Sequence, residues 1–389
     1  MMRTKNHILF RTAVLFRTPG LLGSAGLFRP LLLMILLALL PLAFTAAQDH
    51  TDQRQLSRSF PASLETTLEI QNKYGKIQVV PWEKDSVKVE VEIFLTESSS
   101  SKLRKLKEDI HINFTGTNSY IIASTVIDSE RGRLASELKS ISNTITGSNK
   151  RVEINYMVHL PMFMDVVLRN KFGDIYMDDL DGQVDIELSN GVLKANRLRG
   201  NAVLSLSFAN GMIRSLGSAN LKLSYSDLVV NEVSQLDLVS KSSKLNVDSV
   251  NILKMDSRRD KLYFKHVEFF YGQSNFTQVW IYDFLRESDI YMKYGELTME
   301  HVMPGFGKIY VESEYTDMTF YFDRAAALEF DILHHEKSIL RLPGTEVLKE
   351  DTPSGKDYYK TVGTMGTGDP TGQLVLDALQ KCFINISYK

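Results

Sequence analysis

The chain has 389 residues, of which 43% are hydrophobic and 24% are charged, so it is globular rather than disordered. Its formal net charge is −2 and no basic stripe with interleaved aromatic residues follows the leader, which argues against nucleic acid as a partner. The single cysteine, Cys382, excludes an intrachain disulfide, and its strand-like neighbours predict a buried thiol.

Residues 1–47 combine a basic leader with a short apolar run that ends in Thr45, Ala46 and Ala47. This pattern predicts a secretory signal peptide that is cleaved after Ala47. An uncleaved membrane anchor is the alternative, but the run is about 15 residues long, contains Pro41, and is shorter than the ~20 residues that a spanning helix needs. Membrane contact is therefore expected only through the signal peptide during export.

Residues 48–63 form a polar lead-in, for which we predict disorder over 49–58. Residues 64–165 form an N-terminal β-rich region, because apolar residues alternate with polar ones, as at Val87, Val89, Val91 and Ile93.

Within this region, 98–150 has the pattern of an α+β insertion that caps one end of the domain. Apolar residues at helical spacing predict one or two amphipathic helices, and strands are predicted at 111–114 and 120–126. The helical positions are Leu103, Leu106 and Ile110 in the first group and Leu134, Leu138 and Ile141 in the second.

One short motif recurs along the chain. The segment 72–77, Asn-Lys-Tyr-Gly-Lys-Ile, reappears at 170–175 as Asn-Lys-Phe-Gly-Asp-Ile, and weaker copies lie at 224–228, 293–297 and 314–318. Self-similarity at a short period is typical of a repeat architecture, in which each unit buries its apolar face against its neighbours.

The repeat domain is predicted over 166–389. We take the apolar residue after each turn as the register, with spacings of 15 to 21 residues, and place a last unit at Leu374 after a looped excursion through 352–372. The register residues are Ile175, Leu193, Ile213, Leu228, Leu245, Leu262, Val279, Leu297, Met318 and Ile339.

A unit of about 18 residues is too short for a helix pair or a propeller blade, but it suits one coil of a β-solenoid whose coils pair in parallel about 4.8 Å apart. The predicted fold is therefore all-β, a single-chain β-solenoid (β-helix) of short ~18-residue coils with the α+β cap at its N-terminal end. A Greek-key sandwich is the alternative.

Aromatic residues occupy one equivalent position of the repeated motif: Tyr74, Phe172, Tyr225, Tyr294 and Tyr315. We interpret them as a structural ladder of stacked rings that face the core. Exposed rings that stack on sugars are the alternative. The adjoining Gly75, Gly173 and Gly295 are expected to supply backbone angles that other residues disfavour.

The sequence contains no recognisable catalytic motif, metal-ligand spacing or phosphate loop, so no catalytic, cofactor or metal residues are predicted. The acidic segment 178–182 is weighed as a calcium loop, but it occurs once and is more typical of a solvated turn. The adjacent His334 and His335 are interpreted as a surface feature.

The motif at 170–176, the turn at 188–191 and the Tyr-Ser-Asp, Tyr-Gly-Glu and Tyr-Thr-Asp turns resemble a family of secreted bacterial proteins known as putative adhesins, akin to the auto-transporter adhesin head domain. The resemblance covers roughly 64–95 and 152–389. It implies a β-helical protein of the Gram-negative cell envelope with no established enzymatic activity.

We therefore expect an exported, non-enzymatic protein of the periplasm or cell surface that acts as an adhesin-like binding or structural module for a glycan or another envelope protein. Two alternatives stay open: a polysaccharide-active β-helix enzyme, and a periplasmic scaffold associated with a signalling system.

Overall fold

The computed structural model describes residues 49–128, 151–344 and 347–389. Strands make up 73% of the described residues, and they hydrogen-bond into one 24-stranded, mostly parallel sheet accompanied by one α-helix. The all-β prediction is confirmed. The predicted signal peptide lies outside the described residues.

The N-terminal part combines antiparallel and parallel pairing. Its elements are β1 (His50–Pro61), β2 (Thr67–Lys73), β3 (Ile77–Trp82), β4 (Ser86–Glu97), α1 (Ser100–Asp109), β5 (Ile110–Gly116), β6 (Tyr120–Ile127) and β7 (Arg151–Pro161). Strand β4 pairs antiparallel with both β1 and β7, and β5 pairs antiparallel with β6. Strand β6 pairs in parallel with β2, and β7 pairs in parallel with β3.

Two predictions for this part have different outcomes. Disorder over 49–58 is wrong, because β1 pairs with β4 along its whole length; its polar side chains suit a strand that pairs on one side only. The first predicted helix is present as α1, which buries Leu103 and Leu106. The second predicted helix, at Leu134, Leu138 and Ile141, lies outside the described residues.

The middle of the chain is a run of parallel strands. Each strand pairs in register with the equivalent strand 17 to 21 residues further on, as in the pairs Ile186–Leu204 and Leu221–Leu238. The strands are β8 (Asp165–Lys171), β9 (Ile175–Met177), β10 (Val184–Ser189), β11 (Val192–Leu198), β12 (Ala202–Ser207), β13 (Asn210–Ser224), β14 (Asp227–Lys241), β15 (Lys244–Arg258), β16 (Lys261–Asn275), β17 (Gln278–Val302) and β18 (Lys308–Phe322).

The predicted register is wrong at Ile213. Gly211 is the residue that lies between Leu193 and Leu228, whereas Ile213 pairs with Ala195 and Val230. A Cβ at Gly211 would lie 2.7 Å from Cδ1 of Leu228, so the leucine fills the space that a side chain would need. A register assigned from apolar residues misses this position, because glycine gives no hydrophobic signal in the sequence.

The C-terminal strands are not stacked in chain order. These strands are β19 (Leu328–His335), β20 (Ile339–Arg341), β21 (Val347–Pro353), β22 (Tyr358–Met365), β23 (Gly372–Ala378) and β24 (Phe383–Tyr388). Strand β23 lies between β18 and β19, and β24 lies between β18 and β20. Strands β21 and β22 form a hairpin, and β22 also pairs antiparallel with β19.

This order corrects the last predicted units. Met318 pairs with Ile384 rather than Ile339, and Leu374 pairs with both Ile309 and Phe330. Burial of apolar side chains stabilises the insertion of β23 and β24 between earlier strands, because Leu374 and Ile384 are fully buried there. The predicted loop over 352–372 contains β22.

A continuous apolar core runs behind the parallel strands. Alternate residues point inward, and its largest members include Phe270, Phe284 and Phe320, which are fully buried. Burying a side chain of this kind stabilises the fold by about 1.5–3 kcal/mol. Cys382 is buried as predicted, and burial raises the pKa of its thiol.

Candidate functional site

The aromatic motif marks a sharp corner of the backbone. Among the described residues other than glycine, ten have a left-handed backbone; the first is Tyr74, and the other nine follow one another from Phe172 at a spacing of 17–21 residues. We call the segment from one corner residue to the next a repeat. The corner residues are Tyr74, Phe172, Asn190, Phe208, Tyr225, Ser242, Arg259, Phe276, Tyr294 and Tyr315, with φ between 50° and 65°.

The structure therefore assigns the unusual backbone angle to the corner residue rather than to the glycine that follows it, which corrects the sequence expectation. Gly75, Gly173 and Gly295 are needed for a different reason. A Cβ at Gly173 would overlap the carbonyl oxygen of Gly75, and one at Gly295 would overlap that of Thr277. The glycines permit close contact between successive corners.

The corner rings stack in short ladders. Ring centroids are 5.5 Å apart for Tyr74–Phe172, 5.1 Å for Phe208–Tyr225, 4.9 Å for Phe276–Tyr294 and 5.1 Å for Tyr294–Tyr315, with the rings nearly parallel. Asn190, Ser242 and Arg259 interrupt the series. Such stacking contributes about 0.5–1.5 kcal/mol per pair.

The prediction that these rings face the core is wrong for most of them. Tyr74 is buried, but Tyr225, Tyr294 and Tyr315 are 40–49% exposed. Sequence reasoning also missed Phe208 and Phe276, which a count of 17 or 18 residues from Phe172 would have found. Because neighbouring rings cover each other's faces, the ladders present mainly ring edges to solvent.

A polar ladder lies buried directly behind the corners. Ser226, Ser243, Asp260 and Thr277 follow the corner residue in four successive repeats, and each accepts a hydrogen bond from the backbone N–H of the preceding repeat. Asp260 is 2% exposed and also accepts from the hydroxyls of Ser240 and Ser257, each at 2.6 Å. This ladder fixes the register of the corners.

A charged groove of about 1380 Å³ lies on the surface of the described residues. It crosses seven successive repeats. Its lining consists mostly of outward side chains in or next to β3, β9, β11 and the first halves of β13 to β16, together with the buried Val79, Met177 and Ala195. The lining residues are Lys76, Gln78, Val79, Tyr176, Met177, Asp178, Lys194, Ala195, Asn196, Arg197, Met212, Arg214, Ser215, Asn231, Glu232, Asp248, Ser249, Lys265 and His266.

The charges of the groove are partly paired. Lys265 forms an ion pair of 2.5 Å with Asp248, to which Asn231 also donates at 2.8 Å, and these contacts lower the pKa of the Asp248 carboxyl. Lys194 lies over the ring of Tyr176 at 5.9 Å. Within the described ranges, Arg214 has no ion-pair partner.

A chain of ion pairs begins at the end of the groove. His266 pairs with Asp283 at 2.8 Å, and His301 contacts Asp283 and Asp323 with its two ring nitrogens, both at 3.0 Å. A neutral imidazole donates from one nitrogen only, so this geometry favours the imidazolium. The contact with Asp323, followed by that with Asp283, raises the pKa of His301.

The other candidates from the sequence are accounted for by local contacts. Arg199 donates to Asp181 at 2.7 Å and also pairs with Asp179, so these two carboxylates of the acidic segment are already bound by a guanidinium group. The rings of His334 and His335 pack against Tyr359 and Tyr358. Over 49–128, 151–344 and 347–389, no group of His, Cys, Asp or Glu side chains is arranged to hold a metal ion.

Among the described residues, no helix is both long and apolar enough to cross a membrane. The chain matches no protein-family model and no curated protein.

Several solved structures are similar to the chain. One is named a "putative cell adhesion protein" from Clostridium sporogenes, with 11% identity, 87% of this chain and 100% of that chain covered, and a TM-score of 0.19. Two come from Parabacteroides distasonis: a "putative adhesin" (9% identity, 70% and 94% covered, TM-score 0.28) and a "putative lipid binding protein" (8%, 86% and 96%, 0.28). With TM-scores below 0.3, these similarities carry no conclusion about function.

Proposed function

We propose that the protein is an exported, non-enzymatic binding protein of the Gram-negative cell envelope, adhesin-like, whose contact surface is the charged groove. The observation that carries the proposal is the groove itself. It is a long open concavity that crosses seven repeats, with cationic, anionic and apolar side chains along it. An elongated, polar ligand complements such a surface.

The scaffold of this surface is proposed to be a β-solenoid over 166–389, preceded by the N-terminal region 64–165 with its insertion at 98–150. In-register parallel pairing of strands that are consecutive in the chain supports a coil. A straight 15-residue strand would span about 50 Å. Since β14 begins beside the first residue of β13, the chain has to bend back within one repeat.

A binding role is favoured over hydrolysis by the state of the carboxylates. Glycoside hydrolysis needs a carboxylic acid that keeps its proton near neutral pH, beside a second carboxylate. Asp248 in the groove is held in its ionised form by Lys265. Among the described carboxylates, the pKa values that are clearly displaced, those of Asp248, Glu314 and Asp323, are all lowered.

Export is supported by the basic leader, apolar run and small residues of 1–47. The test is fractionation of a Gram-negative host that produces the full chain. We expect the mature protein in the periplasm, the outer membrane fraction or the medium. Recovery of the uncleaved chain in the cytoplasm would contradict export.

Binding is tested by sedimenting the purified full chain with Gram-negative envelope preparations. The groove variant is the double charge reversal Lys194→Glu/Arg214→Glu. Its matched control is Lys222→Glu/Lys254→Glu, which reverses two exposed lysines on the second halves of their repeats, outside the groove. Wild type and control should co-sediment and the groove variant should not. Equal binding by all three proteins, or by none, rejects the groove as the contact surface.

A further inference from the structure

We infer that the ligand of the charged groove is a linear anionic glycan that lies along the direction in which the repeats stack. The inference rests on the proposed function and names the chemical class that this surface recognises. Register, charge and the placement of apolar groups each support it.

The register supports a long ligand. Equivalent outward residues of successive repeats pair directly, which places Tyr176, Lys194 and Met212 in one row. The same row continues alongside the groove, outside its lining, through Val229 and Asn246 to Tyr263, and reaches Trp280 beyond it. From Tyr176 to Trp280 there are six steps, or about 29 Å. A chain of sugars has about the same repeat as the strands, so each unit meets one repeat of the protein.

The charge supports an anionic ligand. The groove lining contains five lysines and arginines against three carboxylates, a surplus of two positive charges. Asp248 is already occupied by Lys265, whereas Lys76 and Arg214 are exposed and have no carboxylate partner among the described residues. These cations and Lys194 lie on different repeats, so they contact anionic groups spaced along a polymer rather than one compact anion.

The apolar groups support a sugar. Tyr176 lies beneath Lys194, and further along the row Tyr263 lies beneath Lys244 at 5.5 Å and stacks on Trp280 at 5.2 Å. Met212, between the two groups of rings, is 56% exposed. Pyranose rings have apolar C–H faces that pack on such side chains, and polar edges that pair with amides and cations.

The same surface disfavours nucleic acid. A nucleic acid carries a charge on every phosphate and binds through dense cation contacts. Asp178 and Glu232 stand in the groove among the cations, and the whole chain has a formal net charge of −2. A glycan with charge on only some of its sugars tolerates both carboxylates.

The test measures the affinity of the purified full chain for polygalacturonate, dextran sulfate and neutral dextran. We expect binding to an anionic polymer that weakens with added salt, and none to dextran. The two anionic probes distinguish carboxylate from sulfate recognition. Affinity for oligogalacturonides should rise with length up to about seven units, one for each position in the row from Tyr176 to Trp280.

Lys194→Glu/Arg214→Glu should bind at least about tenfold more weakly, equivalent to about 1.4 kcal/mol, while Lys222→Glu/Lys254→Glu stays within about twofold of wild type. If the reversal disturbs folding, seen as a lowered Tm, Lys194→Gln/Arg214→Gln is used and should weaken binding in the same direction. Equal affinity for dextran, or insensitivity to these groove variants, overturns the inference. If envelope preparations bind through the groove but no anionic polymer does, the inference fails and the proposed function stands. If the envelope does not bind either, the proposed function fails as well.

Discussion

The buried carboxylate of Asp260 gives the sharpest prediction about stability. Its side chain accepts four hydrogen bonds: from the backbone N–H of Ser243 at 2.7 Å, from that of Arg258 at 3.0 Å, and from the hydroxyls of Ser240 and Ser257. Asp260→Ala removes all four hydrogen bonds. The two hydroxyls can rotate toward other partners, but the two backbone N–H groups cannot.

Each buried N–H without a partner costs about 1–3 kcal/mol, so Asp260→Ala should lower the free energy of unfolding by about 2–6 kcal/mol. Asp260→Ser should lower the free energy of unfolding by less, because Ser226 and Ser243 occupy the same position in other repeats and each accepts one backbone hydrogen bond there. The assay is urea unfolding followed by circular dichroism.

The matched control is Asp256→Ala, near the end of β15 and four residues before Asp260. Asp256 is exposed and accepts one hydrogen bond from Gln273 at 3.1 Å, so its loss should change stability by no more than about 0.5 kcal/mol. If Asp260→Ala is as stable as Asp256→Ala, the buried ladder does not fix the register of the corners.

Three further predictions follow from the corners and the ion-pair chain. Gly173→Ala should lower the free energy of unfolding by about 3 kcal/mol, because the added Cβ meets the backbone of Gly75. The control Gly344→Ala, where a Cβ has open space, should have the Tm of wild type. Equal Tm values for the two variants would refute close contact between corners. Serine occurs at the corner at Ser242, so Tyr294→Ser should keep the corner while it removes two ring stacks. The free energy of unfolding in urea should fall by about 1–3 kcal/mol. The fall should be smaller for the control Tyr282→Ser, because the ring of Tyr282 joins no stack in the described structure. Because the pKa of His301 is raised in the folded state, its protonation stabilises the fold fully below the unfolded-state pKa of about 6.5, and this stabilisation is lost as the pH rises through the folded-state pKa. The Tm difference between wild type and His301→Gln should therefore shrink from pH ~6 to pH ~9. A constant difference would contradict the presence of the imidazolium.

Much of the fold could be predicted because strands and corners leave local signals. Alternating residues such as those of β4 indicate a strand with one buried face, and the motif around Phe172 indicates a repeated corner. The register failed where the signal was absent. Gly211 holds an apolar position without a side chain. Ser242 and Arg259 hold corners without a ring, so the aromatic motif does not mark them, although the register after them is correct.

Other features depend on contacts between distant parts of the chain. Nothing in the sequence near Leu374 shows that β23 lies between β18 and β19, since only the completed stack creates that gap. The groove brings Lys76 together with residues as far along the chain as His266, and this set emerges only once the correct register is known. The exposure of the corner rings likewise depends on the close packing of successive corners rather than on ring hydrophobicity.

The most direct test of the account is whether the groove is built on a stack of evenly spaced coils. Spin labels at Asp178 and, in turn, at Arg214, Asn231 or Lys265, in a Cys382→Ala background that removes the single cysteine, allow pulsed dipolar distances to be measured. These outward positions are two, three and five strand steps from Asp178. We expect mean distances that increase evenly, to about 24 Å for the last pair. Distances that do not increase with the number of steps, as in a sandwich of two sheets, would contradict the coiled architecture and the groove that depends on it.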